Sequence, residues 1–129
     1  MNYRRARVAG ATYFFTVNLA ARRRSWLTDH IDLLRSAIRN VKSLHPFRID
    51  AIVILPDHMH TIWTLPDGDQ DFDTRWMLIK SAFSRGVPRI DSRSASRRAK
   101  GERGIWQRRF WEHVIRDDLS ATIPTFNDM

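Results

Sequence analysis

The chain contains no cysteine. Disulfides and thiolate metal centres are therefore excluded, and imidazole and carboxylate remain as its only strong metal ligands. It also lacks a long apolar run. The longest, Ala51-Ile52-Val53-Ile54-Leu55-Pro56, falls far short of the ~20 residues a membrane-spanning helix needs. Tyrosine is scarce: Tyr3 and Tyr13 are the only two, both near the start. Acidic residues are outnumbered, 14 Asp and Glu against 22 Lys and Arg, leaving a formal charge of +8. These absences point to a cytoplasmic protein without a membrane partner. The basic Arg4, Arg5 and Arg7 do precede an apolar Tyr13-Phe14-Phe15, but Thr12, Thr16 and Asn18 interrupt that stretch. It reads as a strand, not a signal peptide.

What is present is ordinary globular material in one domain's worth of chain. With 129 residues, 43% of them hydrophobic and 28% charged, the chain can bury one core but not two. Almost all of its cations are arginine. A guanidinium offers a planar fork of donors that grips phosphate at two points and stacks on bases, whereas an ammonium is only a point charge. A polyanion, nucleic acid first among them, is the partner this surface favours.

Hydrophobic spacing sets out the elements. Ala11 to Leu19 is rich in aromatic and β-branched residues and predicts a strand. From Thr28 the period changes: Ile31, Leu34, Ile38, Val41 and Leu44 recur at three and four residues, predicting a helix capped by Thr28 and stopped at His45-Pro46. Arg48 to Leu55 and His58 to Leu65 predict two antiparallel strands about a Pro56-Asp57 turn. A loop, Pro66-Asp67-Gly68-Asp69-Gln70, leads to a second helix with Phe72, Trp76, Ile79 and Phe83 on one face and Arg75, Lys80 and Arg85 elsewhere. A basic loop then runs to Gly104, and Ile105 to Ile115 suits one or two further strands. The order β-α-β-β-α-β predicts an α+β fold: a ferredoxin-like split βαβ, its antiparallel sheet carrying two main helices on one face. The other face is left for a ligand.

His58-Met59-His60 occupies that face. Side chains alternate along a strand, so the two imidazoles point the same way while Met59 points to the other face. Neutral imidazole binds divalent metals well, which makes the pair a two-ligand half-site. Asp57 and His113 are candidate helper ligands; against that, Asp57 reads more readily as a turn residue after Pro56, and His113 equally as a strand histidine. Pro-Asp-His-hydrophobic-His on the second strand of a hairpin, in a basic protein, resembles the HUH nucleases.

The similarity extends along roughly nine tenths of the chain. Tyr3-Arg4-Arg5, Phe14 to Leu19, Ala51 to His60, Ile79-Lys80-Ser81-Ala82-Phe83-Ser84 and Ile105-Trp106-Gln107-Arg108-Arg109-Phe110-Trp111-Glu112-His113 resemble consecutive blocks of the REP-associated tyrosine transposases. The resemblance implies a protein that nicks and joins single-stranded DNA at REP-type hairpins. A tyrosine attacks the phosphodiester, and a divalent metal, Mg or Mn, sits on the His pair, here His58 and His60. It also implies a monomer, with a dimer left open.

One part of the family pattern is missing. The nucleophile belongs to a Tyr-x-x-x-Asn helix after the Trp-x-x-x-Phe-Trp-Glu-His block, yet beyond Ile115-Arg116-Asp117-Asp118 the sequence holds no tyrosine. Residues 1–116 read as the transposase-like domain and 117–129 as a tail outside the family, the outcome expected of a frameshift or a premature end. Tyr13 reads as core and Tyr3 as a poor nucleophile, so no catalytic residue is assigned. Metal affinity should fall without the third ligand. DNA binding should persist through Arg4, Arg5, Arg7, Arg97, Arg98, Lys100, Arg103, Arg108 and Arg109, with Trp106 and Trp111 available to stack on unpaired bases. Two alternatives stand beside this reading. One is a single-stranded RNA-binding module using the same sheet face, against which the absence of an RNP1 pattern counts. The other is a defective fragment without activity.

Overall fold

The computed structural model describes residues 7–21, 23–87 and 105–115. Its elements run β1 (Thr12–Asn18), α1 (Trp26–Asp29), α2 (Ile31–Leu44), β2 (Arg48–Ile54), β3 (His58–Thr64), α3 (Phe72–Gly86) and β4 (Trp111–Ile115). The strands form one sheet in the order β2-β3-β1-β4, every neighbouring pair antiparallel. This is the split βαβ arrangement that the element order predicts.

Alternation builds the core. Tyr13, Phe15 and Val17 of β1 are fully buried, as are Met59 and Thr61 of β3, with Trp63 beside them. They meet Leu34, Ala37, Ile38 and Val41 of α2 and Phe72, Trp76, Ile79 and Phe83 of α3. Aromatic rings fill the centre: Trp63 stacks on Trp76 at 4.4 Å between centroids, and Phe15 meets both edge-on at 4.8 and 5.4 Å. Removing a ring so placed costs about 3–5 kcal/mol, a large part of a small domain's stability.

Several local expectations need correction. The first helix does not start at Thr28. Backbone at His30 (φ −116°, ψ 42°) splits it into α1 and α2, and the Thr28 hydroxyl donates back to the Ser25 carbonyl at 3.1 Å instead of capping. Arg75 does not project outward: it is 4% exposed. Its five N–H bonds go to the carbonyls of His45, Pro46 and Asp71 and to both carboxylate oxygens of Asp69. The guanidinium thus ties the first turn of α3 to the end of α2 and to the preceding loop. A bulge between Ile49 and Ala51 shifts the phase of β2, so that Ile49 and Ile52 share a face although three residues apart. Between Ile105 and Ile115 only β4 is a strand, and Trp106 makes an isolated bridge to Leu19. The loop turn forms as its sequence suggests, Gly68 taking φ +80°, a conformation glycine adopts without steric cost.

No helix among the described residues is long and apolar enough to cross a membrane. Arg4, Arg5, Arg97, Arg98, Lys100 and Arg103, Tyr3, and the tail after residue 116 lie outside the described residues.

Candidate functional site

The register of the sheet places the His pair. Across β1 and β3, Asn18 faces His58, Thr16 faces His60, Phe14 faces Ile62 and Thr12 faces Thr64, all on the side away from α2 and α3. Across β1 and β4, Thr16 faces Trp111, Phe14 faces His113 and Thr12 faces Ile115. The helix-free face therefore carries rows that run from β4 over β1 to β3, one of them Trp111, Thr16 and His60. Phe14 lies nearly parallel to the His60 ring, 5.8 Å away.

The hairpin that holds the pair is pinned on both sides. Leu55 N–H donates to the His58 carbonyl at 2.8 Å, closing the Pro56-Asp57 turn. From outside the hairpin, Leu19 N–H donates to the Asp57 carbonyl at 2.8 Å and Leu27 N–H to the Pro56 carbonyl at 3.1 Å. Functional groups on elements this constrained keep their geometry without help from a ligand.

The two rings meet edge to face with centroids 5.0 Å apart, close enough to share one ion. Each has its Nδ1 engaged. Asp57 Oδ1 lies 2.7 Å from His58 Nδ1, and because an ionised carboxylate can only accept, the imidazole donates there and Nε2 is the nitrogen whose lone pair could hold a cation. Asp57 is thus more than a turn residue. Thr16 Oγ1 shares a 3.0 Å hydrogen bond with His60 Nδ1, which orients that ring whichever of the two donates. His60 is only 7% exposed. Burial first, and then the neighbouring His58, hold its pKa below the usual imidazole value, which keeps it neutral and competent as a ligand near pH 7. The donor set fits a two-imidazole half-site. Among the described residues no group of three or more His, Asp or Glu is arranged to hold a metal, and His113, exposed on β4, stands beyond β1 from the pair.

The segment before β4 borders the same end of the sheet. Ala20 N–H donates to the Ile105 carbonyl at 2.8 Å and Gln107 N–H to the Asn18 carbonyl at 3.0 Å. Trp106 is buried against Phe83, its indole N–H donating to the Lys80 carbonyl at 3.1 Å. Lys80 returns to the Gln107 carbonyl at 3.2 Å and lies over the Phe110 ring. Lys80 and Trp106 are thus fasteners, whereas Trp111 stands 52% exposed on the helix-free face. Arg108 and Arg109 are exposed between Gln107 and Trp111. Arg7 sits at the opposite end of β1, paired with Asp73 and lying 5.1 Å over the Phe72 ring. Tyr13 is fully buried and its hydroxyl donates to the Val8 carbonyl, as a core residue does.

No family model matches the chain. It is 50% identical over 115 residues to the REP-associated tyrosine transposase of Escherichia coli, an alignment that takes in 89% of this chain and 62% of that protein. It is 46% identical over 118 residues to a putative REP-associated tyrosine transposase of Haemophilus influenzae, covering 91% of this chain and 67% of the relative. The chain thus spans rather less than two thirds of the length of the Escherichia coli relative. Among solved structures, a REP-associated tyrosine transposase bound to a REP hairpin superposes with a TM-score of 0.76 at 46% identity, over 95% of this chain and 68% of that one. A putative transposase from Deinococcus radiodurans, at 18% identity, TM-score 0.56 and coverage of 95% and 92%, shares the fold. At these identities, and with the His pair and the split βαβ sheet in place, the chain belongs to the family of REP-associated tyrosine transposases.

Proposed function

We propose that this chain binds single-stranded or hairpin DNA of the REP type across the helix-free face of its sheet, and that these 129 residues bind without cutting. The observation that carries the reading is the row Trp111, Thr16, His60. It sets an exposed indole, a strand apart, beside two imidazoles whose Nδ1 atoms are already engaged. His58 and His60 would hold a divalent cation, Mg or Mn, which when bound polarises a phosphoryl oxygen and fixes the phosphate it touches. The residues themselves do the rest: Asp57 and Thr16 orient the rings, Trp111 offers a base its indole face, and Arg108 and Arg109 stand at the border for the backbone phosphates. Cleavage needs a nucleophile aimed at that phosphate. Of the two tyrosines, Tyr13 is committed to the core and Tyr3 lies before the first strand.

The test is a gel shift with a single-stranded REP-type hairpin, a blunt duplex and a hairpin RNA, each at several salt concentrations with Mn present. The expected outcome is preference for the DNA hairpin, with no protein–DNA adduct surviving denaturation. Equal affinity for all three would reduce the binding to generic charge, and preference for the RNA would move the protein to the RNA-binding class. A denaturation-resistant adduct would refute the non-cutting part alone.

A further inference from the structure

The opposite side of the molecule carries a second surface, unrelated to the His pair. Where α2 lies over β2, an open groove of about 660 Å³ remains, a size typical of ligand-binding clefts. Its floor is isoleucine: Ile49, Ile52 and Ile54 from β2, with Ile31 and Ile38 from α2. Ile52 is 38% exposed. The bulge at Asp50 creates this floor by turning Ile49 and Ile52 to the same side. Along one rim stand Arg35, Arg39 and Lys42, spaced so that they follow one side of the helix. β2 is also an edge strand, pairing with β3 only among the described residues. Edge strands are ordinarily blunted by charge. Here the Arg48–Asp50 ion pair at 2.6 Å guards the first half, whereas Ala51-Ile52-Val53-Ile54 carries no charge.

We infer that this groove takes an extended acidic peptide laid between α2 and β2, its apolar side chains turned down onto the isoleucine floor and its alternate carboxylates turned up towards Arg35, Arg39 and Lys42 on the rim. Charge complementarity selects that occupant. A second copy of the chain pairing edge to edge about a two-fold axis would bring the same three cations of each α2 towards each other, which costs rather than gains energy. Nucleic acid would satisfy the cations but would lay a charged backbone on a hydrocarbon floor, desolvating phosphate without a partner. A peptide alternating acidic and apolar residues and lying in the groove meets both demands, since successive side chains of an extended chain point to opposite sides, the apolar ones down to the floor and the acidic ones up to the rim.

The experiment titrates the full chain with short fluorescein-labelled peptides of alternating Glu and Ile, alternating Lys and Ile, and alternating Glu and Ser, followed by anisotropy and by amide chemical shifts. The Glu-Ile peptide should bind in the micromolar range, the other two at least about tenfold more weakly, with shifts confined to α2 and β2. Ile52→Asp should abolish that binding while leaving hairpin-DNA affinity and cooperative melting intact. Arg39→Ala, an exposed site that cannot compromise the core, should weaken it about tenfold. Absence of binding to about 1 mM, shifts on the helix-free face, displacement of the peptide by single-stranded DNA, or self-association abolished by Ile52→Asp would each overturn the inference.

Discussion

Trp111 is a large aromatic standing 52% exposed at the border of a strand, directly across β1 from His60. Neighbouring strands lie about 4.8 Å apart, so Trp111 is about two strand spacings from His60. Stacking on an aromatic ring contributes about 1–3 kcal/mol per base. Trp111→Ala should therefore weaken single-strand binding by about 5- to 150-fold and leave blunt-duplex binding nearly unchanged. The measurement has an internal reporter: Trp63, Trp76 and Trp106 are buried and Trp26 is partly buried, so the share of the quenching on DNA addition that disappears in Trp111→Ala reads Trp111. An equal loss for duplex and single strand would count against stacking. The imidazoles invite a parallel test with Mn. His58→Ala or His60→Ala should remove Mn binding detected by electron paramagnetic resonance. Asp57→Asn, which alters only the group orienting His58 Nδ1, should cost about 10- to 100-fold. If Asp57→Asn matches His58→Ala in full, Asp57 is itself a ligand.

At the scale of elements, the tie between α3 and α2 decides stability. Arg75 places all five of its N–H donors inside the protein, and its partner Asp69 is only partly exposed. Truncation to Arg75→Ala strands three carbonyls and a carboxylate. Breaking such a pair costs about 3–5 kcal/mol, with the lower figure expected because water reaches Asp69; thermal melting checks it. The pH dependence follows from Asp69, whose pKa is held below the usual carboxylate value first by the hydrogen bonds from Arg75. Asp71, accepting from Thr74 N–H at 3.0 Å, is lowered likewise. A depressed native pKa means a stabilisation fully present above the unfolded value near 4 and lost as pH falls through the native one. Melting temperature should hold from neutral pH down to about 4 and drop below it, and Asp69→Asn should flatten that drop. Little of this was legible beforehand. The spacing of Phe72, Trp76, Ile79 and Phe83 was sufficient to place α3, because a packed stripe is a periodic signal. Arg75 falls off that stripe and looks like any solvated arginine until the loop bearing Asp69 closes over it. The bulge at Asp50 hid in the same way: a uniform β-branched run does not announce where its phase slips.

For the whole molecule the governing quantity is summed charge. The +8 total and the arginine bias were readable at once, and so was the alternation that puts His58 and His60 on one face and Met59 beneath. What composition could not do was sort the cations. The fold commits Arg75 to carbonyls, Lys80 to Gln107 and the rings beside it, and Arg7 to Asp73, while Arg108 and Arg109 stay exposed in the segment that leads into β4. Each phosphate contact to a single strand contributes about 0.7 to the slope of log affinity against log salt. If both arginines touch backbone, Arg108→Ala with Arg109→Ala should lower the slope for single-stranded DNA by about 1.4 and weaken binding equally for all sequences. Arg35→Ala with Arg39→Ala removes the same formal charge from the far side of the protein. Under a purely long-range field the two pairs would behave alike; under direct contact only the first changes the slope. A salt titration of both double variants from low to physiological ionic strength separates these cases, and identical slopes would show that the DNA follows the charge of the molecule and not the face that bears the His pair.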